Sequence, residues 1–167
     1  AHPYSTTAIH PAHPSPTWHL VLAGLPTDDT RCLQTLIRGY GHQISLAHDP
    51  AQLCEHLATA SVDALVMGEA EAPAIRDTTD LSLHGRTAPA RLCVIDQDDA
   101  GARIRALDAG DDDCLSRPYA PRELLARVAA VLRRRQARSA AAAPSPPQEL
   151  ARTVTFGDWR YDSGQRR

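Results

Sequence analysis

The sequence predicts an α/β domain built on a doubly wound, five-stranded parallel sheet. Three observations carry the prediction. Short apolar runs recur along the chain, segments with a helical hydrophobic period separate them, and the two kinds alternate from Trp18 to Arg135. Strands joined through helices run parallel by right-handed crossovers, and a parallel sheet is covered on both faces, so its strands read as nearly continuous apolar runs.

The first run, His19–Ala23 (HLVLA), is too uniformly apolar for a sheet with one wet face. Gly24–Asp29 is the turn after it. Thr27, Asp28 or Asp29 is available there to cap a helix with Leu33, Leu36 and Ile37 on its apolar face, ended by Gly39 and Gly41. Gln43–Ala47 (QISLA) is the second strand. Asp49-Pro50 then supplies an N-cap followed by proline at the first helical position, opening a helix that carries Leu53 and Leu57. Ala64–Met67 (ALVM) is the third strand. Residues Glu69–Pro89 contain Pro73 and few apolar side chains, which predicts a helix that is short or irregular.

Leu92–Ile95 (LCVI) is the fourth strand, Gly101–Ala109 carries Ile104 and Leu107 at helical spacing, and Cys114–Ser116 is a short fifth strand. Pro121–Arg135 is the clearest helix. Leu124, Leu125, Val128, Val131 and Leu132 form its stripe, with arginines opposite and at the C-terminal end, where they complement the helix dipole. This count of strands fits the flavodoxin-like order 2-1-3-4-5.

The flanks differ in composition. Ala1–Thr17 holds four prolines and the histidines His2, His10 and His13 without a hydrophobic period, and reads as a flexible extension. A histidine metal tail is the sharper alternative, but proline-broken segments hold ligands poorly. Ser139–Glu149 (SAAAAPSPPQE) has linker composition, and Val154–Tyr161 alternates like the strand of a new domain. The expected organisation is therefore an extension at 1–17, a main domain at 18–138, a linker at 139–153 and the start of a second domain at 154–167.

Charge is unevenly distributed. The net charge of −2 sums a body of residues 1–120 with 8 arginines and 16 acids and a tail of residues 121–167 with 10 arginines and 4 acids. There is no lysine, so every positive side chain is a guanidinium that cannot act as a proton shuttle. Apolar runs such as Leu20–Leu25 fall far short of the roughly 20 residues of a membrane span, and prolines and histidines stand where a signal peptide's hydrophobic segment would be. A cytoplasmic protein with no membrane partner is expected. Cys32, Cys54, Cys93 and Cys114 form no C-x-x-C pair, so buried thiols are expected rather than a zinc site or a disulfide framework, and no cofactor or metal is implied.

The stretch Ala106–Arg135, ALDAGDDDCLSRPYAPRELLARVAAVLRRR, resembles the end of the receiver domain of OmpR/PhoB-type response regulators. The shared features are a glycine followed by aspartates, a basic-proline-aromatic triplet and a glutamate-leucine helix ending in arginines. The closing FGDWRYDSGQRR resembles the first strands of that family's winged-helix DNA-binding domain. The resemblance implies phosphoryl transfer from a histidine kinase to an aspartate at the end of strand three. That chemistry uses an acidic pair after strand one for Mg²⁺, a hydroxyl after strand four and a lysine before the strand-five proline.

This sequence departs from the pattern at each position. Ala23 and Gly24 stand where the acidic pair would be, Gly68 where the phosphoacceptor would be, Ile95 for the hydroxyl, Arg117 for the lysine, and Cys114 for the aromatic that changes rotamer on activation. A degenerate phosphorylation pocket is the expectation. The competing reading is a rebuilt acidic pocket from Glu69, Asp28, Asp29 and Asp96. Against it, a one-residue shift turns a strand side chain to the other face, and Asp28 and Asp29 are better explained as helix caps.

The family's active members pair through the fourth helix, fifth strand and fifth helix. The matching positions are Arg103, Leu107, Asp112, Asp113, Glu123, Ala126 and Arg127, an opposite-charge set that an isologous two-fold contact would satisfy reciprocally. The bland alternative for Glu123 and Arg127 is an exposed i,i+4 helix pair. The reading is thus a receiver domain of an atypical transcription regulator that forms a homodimer without phosphorylation and acts on DNA through a winged helix. The Arg133–Arg135 run reads as the solvated helix end. One alternative gives the degenerate pocket a small-molecule or protein signal. Another, a flavodoxin-like enzyme, lacks a Gly-rich phosphate loop, a nucleophile elbow or a convergent acid-base pair.

Overall fold

The computed structural model describes residues 16–83, 87–142, 153–156 and 159–162. The chain divides into two compact units, Ala1–Arg134 and Arg135–Arg167.

In the first unit the order is β1 (His19–Ala23), α1 (Thr27–Gly39), β2 (Gln43–Ala47), α2 (Pro50–Thr59), β3 (Ala64–Gly68), α3 (Ala72–Ser82), β4 (Ala90–Ile95), α4 (Ala100–Asp108), β5 (Asp113–Ser116) and α5 (Pro121–Ala142), whose last turns belong to the second unit. The sheet runs β2-β1-β3-β4-β5 with every pairing parallel, in the order the sequence predicts.

Alternate side chains of each strand enter different cores. Leu20, Leu22, Val66, Leu92 and Val94 pack with Leu33 and Ile37 of α1 and with the Leu124, Leu125, Val128, Val131 and Leu132 stripe of α5. Val21, Ala23, Leu65, Met67, Cys93 and Ile95 pack on the other face with α2, α3 and α4. The two-residue period of a strand thus appears here as two half-cores, which is why the strands are apolar throughout.

Several elements differ from their sequence reading. Neither Thr27, Asp28 nor Asp29 caps α1. Its N-cap is Pro26, with no side-chain cap bond, because Asp29 lies inside the helix and turns to Arg117 and Tyr119 instead. The 69–89 region contains a regular helix of 11 residues, α3, since Pro73 falls in the first turn, where its missing N–H costs nothing. On α4 the buried residues are Ala102 and Ala106, while Ile104 and Leu107 are 58% and 49% exposed, so the larger apolar side chains lie on the outer face. Helix α5 runs on through Ser139–Ala142, which composition alone assigned to the linker.

In the second unit, Thr153–Phe156 (β6) and Trp159–Asp162 (β7) pair antiparallel, Thr153 opposite Asp162 and Phe156 opposite Trp159. Two strands stand where the alternation of Val154–Tyr161 read as one. Residues 1–15 of the extension and 143–152 of the linker lie outside the described residues.

Candidate functional site

In a doubly wound sheet, ligands and chemistry gather beyond the carboxyl ends of the strands. Here the end of β3 is closed by backbone. A Cβ built on Gly68 would lie 1.9 Å from the Gly24 carbonyl oxygen and 2.9 Å from its carbon, whereas real Cβ contacts under 3.0 Å essentially do not occur. Gly24 in turn adopts φ +64°, and a Cβ on it would meet the Glu71 side chain at 2.8–2.9 Å. The two glycines are thus a matched pair. Gly24 takes a left-handed turn that lays its carbonyl across the end of β3, and Gly68 has no side chain to obstruct it.

Beside this closed point, Arg117 follows β5 and reaches across the strand ends. Its Nε donates to Asp29 Oδ2 of α1 at 2.9 Å, and its Nη1 donates to Asp96 Oδ1 in the loop after β4. Its Nη2 is buried without a partner among the described residues. The Tyr119 hydroxyl donates to the same Asp29 Oδ2 at 3.1 Å. Burial first, then the Asp29 charge and hydrogen bond, push the Tyr119 phenol above the ordinary tyrosine range. A single guanidinium therefore links α1, the β4–α4 loop and β5 from within the chain.

The rebuilt acidic pocket does not assemble. Asp29 and Asp96 are both ion-paired with Arg117, and Glu69 Oε2 accepts the Asp96 backbone N–H at 3.0 Å. Among the described residues no group of three or more His, Cys, Asp or Glu side chains is placed to hold a metal.

The other positions singled out in the sequence do not enclose one space. Ala23 and Gly24 line a cavity against α2 and α3, Ile95 lines one between α3 and α4, and Arg117 lines a third with Asp29, Cys32 and Tyr119. Cys114 lies in register beside Cys93 on the next strand, and burial pushes both thiols up, Cys93 to about 11.

The α4, β5 and α5 positions share one edge of the molecule. Arg127 joins Asp113 at 3.2 Å and Glu123 at 3.0 Å, so the i,i+4 pair exists within the chain as part of a triad. Arg103 pairs with Asp98 and reaches Ser116 Oγ at 3.0 Å. Leu107 and Ala126 are exposed. Asp112 instead accepts the Arg91 backbone N–H at 2.8 Å, which spends that carboxylate inside the fold.

Sequence reasoning missed two features. Ile104 belongs with Leu107 on the exposed apolar face of α4. Asp111, whose side chain is fully buried, takes a bidentate bond from Arg76 of α3, Nε at 2.9 Å and Nη2 at 2.5 Å, with Arg91 Nε at 4.0 Å. In a run of three aspartates nothing local marks the one that is buried.

No protein-family model matches the chain. Among curated proteins it is 33% identical over 144 residues to the response regulator MprA of Mycobacterium ulcerans (strain Agy99), covering 83% of this chain and 59% of that protein. It is 32% identical over 146 residues to MprA of Mycobacterium avium (strain 104), with the same coverage. The chain thus spans rather more than half the length of these relatives.

Among solved structures, the receiver domain of the TMAO respiratory system response regulator TorR superposes with a TM-score of 0.59 at 27% identity, over 70% of this chain and 98% of that one. A response regulator from Chloroflexus aurantiacus J-10-fl shares the fold, with a TM-score of 0.62 at 21% identity over 71% of this chain and 99% of that one. Sheet order, helix placement and sequence relationship agree: the chain carries a response-regulator receiver domain, homologous to those of MprA and TorR.

Proposed function

We propose that this chain is the regulatory part of a DNA-binding transcription regulator. In this reading its receiver domain takes no phosphoryl group at the end of β3, and two copies pair through α4, β5 and α5 without one. The observation that carries it is the closure of Gly68 by the Gly24 carbonyl. By the resemblance, the phosphoacceptor would stand there. The position lacks a carboxylate, and a Cβ there would overlap backbone. Arg117 adds to this support, because its fixed charge lies between the Asp29 and Asp96 carboxylates.

Pairing is supported by the exposed apolar patch of Ile104 and Leu107 beside the Asp113, Glu123 and Arg127 triad. In a two-fold contact these acids and arginines, which remain 24–46% exposed, can exchange partners between copies. The proposed organisation is an extension at 1–17, the receiver from 18 to the end of α5 at 142, a linker at 143–152 and the start of a winged helix at 153–167, in a cytoplasmic protein. Dimer geometry would then set the spacing of the two DNA half-sites.

The test is incubation with acetyl phosphate and Mg²⁺ followed by intact-mass measurement, for the parent chain and for Gly68→Asp. The expected result is no phosphoryl adduct on either, the second because the restored carboxylate has no room. A phosphoryl adduct on the parent chain in the β3–α3 region would overturn the reading.

A further inference from the structure

Cys93 and Cys114 stand opposite each other in the register of β4 and β5, and both pack into the half-core that α2, α3 and α4 cover. Cys93 is 2% exposed and Cys114 is partly buried. Neither thiol makes a hydrogen bond among the described residues, whereas the Cys54 thiol contacts Ser82 Oγ at 3.1 Å. Above the pair, α4 buries only Ala102 and Ala106. These alanines and Cys93 line a cavity of about 270 Å³ between α3 and α4, together with Glu69, Arg76 and Arg105. The Arg105 side chain is 70% exposed, so the cavity reaches the surface and gives Cys93 an entry path.

Spacing selects what can join the two sulfurs. Neighbouring strands lie about 4.7–4.9 Å apart, and in-register side chains on parallel strands point the same way, so the two Cβ atoms keep close to that spacing. A disulfide needs Cβ atoms about 3.8 Å apart and would have to draw the strands together. A cation bonded linearly to two thiolates at about 2.3 Å each spans roughly 4.6 Å between sulfurs, which the undistorted ladder supplies. A tetrahedral ion would lack ligands, since no group of three or more His, Cys, Asp or Glu side chains is placed to hold one among the described residues. Linear coordination by two thiolates belongs to soft d¹⁰ ions such as Cu(I). The charges that act on the two thiols are Asp111, Asp113 and Glu69 against Arg76, Arg103 and Arg127. Each of these acids is already in an ion pair, Asp111 with Arg76 at 2.5 Å, Asp113 with Arg127 at 3.2 Å and Glu69 with Arg105 at 3.8 Å. The single negative charge of a bis-thiolate Cu(I) centre therefore meets no unpaired carboxylate among them.

We infer that Cys93 and Cys114 bind one Cu(I) ion as a linear bis-thiolate site that bridges β4 and β5. Binding breaks two S–H bonds and forms two S–Cu bonds. Two protons pass to solvent and the copper stays monovalent, so no oxidant or reductant takes part. Burial holds both thiols protonated at neutral pH, and uptake therefore strengthens as pH rises. The inference stands or falls independently of the pairing proposal.

The test is anaerobic titration of the 167-residue chain with Cu(I) against a chromogenic Cu(I) chelator, followed by native mass spectrometry and X-ray absorption. The titration is repeated on a Cys32→Ser/Cys54→Ser variant, which removes the two other thiols, and with Zn(II) in place of copper. The expected result is one copper per chain in both proteins, two sulfur neighbours around it, and no Zn(II) retained. Cys93→Ser and Cys114→Ala should each weaken Cu(I) binding by more than the roughly 10–100-fold that loss of an outer-shell partner costs, since each removes a ligand. Cys114 is the less buried of the two, so Cys114→Ala keeps the test decisive if Cys93→Ser does not fold. No copper held against the chelator, none held by Cys32→Ser/Cys54→Ser, equal retention of Zn(II), more than two sulfur or nitrogen neighbours, or undiminished binding in a folded Cys114→Ala variant would each overturn the inference.

Discussion

Replacing Asp111 with asparagine would expose the energetics of the α4–β5 corner. The carboxylate is fully buried and doubly bonded to Arg76, whose side chain is itself only 14% exposed, and Arg91 stands 4.0 Å away. Asparagine keeps the shape but leaves the buried Arg76 guanidinium without its counter-charge, whereas Arg91 retains Asp80 at 3.0 Å. Breaking one side of a buried pair costs about 3–5 kcal/mol. Asparagine retains one acceptor, so the lower end applies, about 3 kcal/mol, and for a domain of this size that lowers Tm by roughly 10 °C.

Urea denaturation and thermal circular dichroism would measure both quantities. The paired replacement Arg76→Met with Asp111→Leu should recover most of the loss, because an apolar pair of similar volume avoids the desolvation cost altogether. Hydrogen exchange should show the damage concentrated at Gly110–Cys114, where Asp111, Asp112 and Arg91 tie the loop to β4. A single variant within about 0.5 kcal/mol of the parent, the range of an ordinary surface change, would refute the reasoning. So would a double variant as unstable as the single one.

Other outcomes follow from the same geometry. Gly68→Ala should destabilise by at least the 1–3 kcal/mol or so of an overpacked core position, since the obstructing atoms are backbone and cannot rotate away. Spectrophotometric titration should find the Tyr119 phenol ionising above the ordinary tyrosine range, and Asp29→Asn should bring it part of the way down. Its raised pKa in the folded state contributes stability that is present below about pH 10, the unfolded value, and that is lost as pH rises above it. Iodoacetamide at neutral pH should label exposed Cys32 first and Cys93 last, because burial removes the Cys93 thiol from solvent and holds its pKa near 11.

Much of the fold was legible because its signals are local. Strands buried on both faces must be apolar throughout, and HLVLA, ALVM and LCVI have no other comfortable reading. Asp49-Pro50 also did what capping chemistry requires, with the aspartate bonding Gln52. The failures are tertiary. Asp29 looked like a cap because nothing in its own segment announces Arg117, 88 residues away. Helix α3 was obscured by its few apolar side chains, although Ala72, Ile75 and Thr79 are enough to bury one face. On α4, Ala102 and Ala106 pack inward while Ile104 and Leu107 face out, so hydrophobic size pointed to the wrong face.

At the site, the sequence showed which residue types stand at the strand ends, but not what they do together. The close approach of the turn at Gly24 to the last residue of β3, Gly68, is made by backbone and leaves no pattern beyond two glycines. The Arg117 link joins three elements that spacing cannot relate. Cys93 and Cys114 form no sequence motif and meet only through the register of β4 and β5.

Sedimentation equilibrium of this chain over a concentration series, with no phosphodonor and beside Arg127→Glu, tests the central claim most directly. The account predicts a dimer for the parent chain and a monomer for the variant, because charge reversal places a carboxylate against Asp113 and Glu123. A parent chain that remains monomeric at every concentration, or a dimer that Arg127→Glu leaves intact, would contradict it.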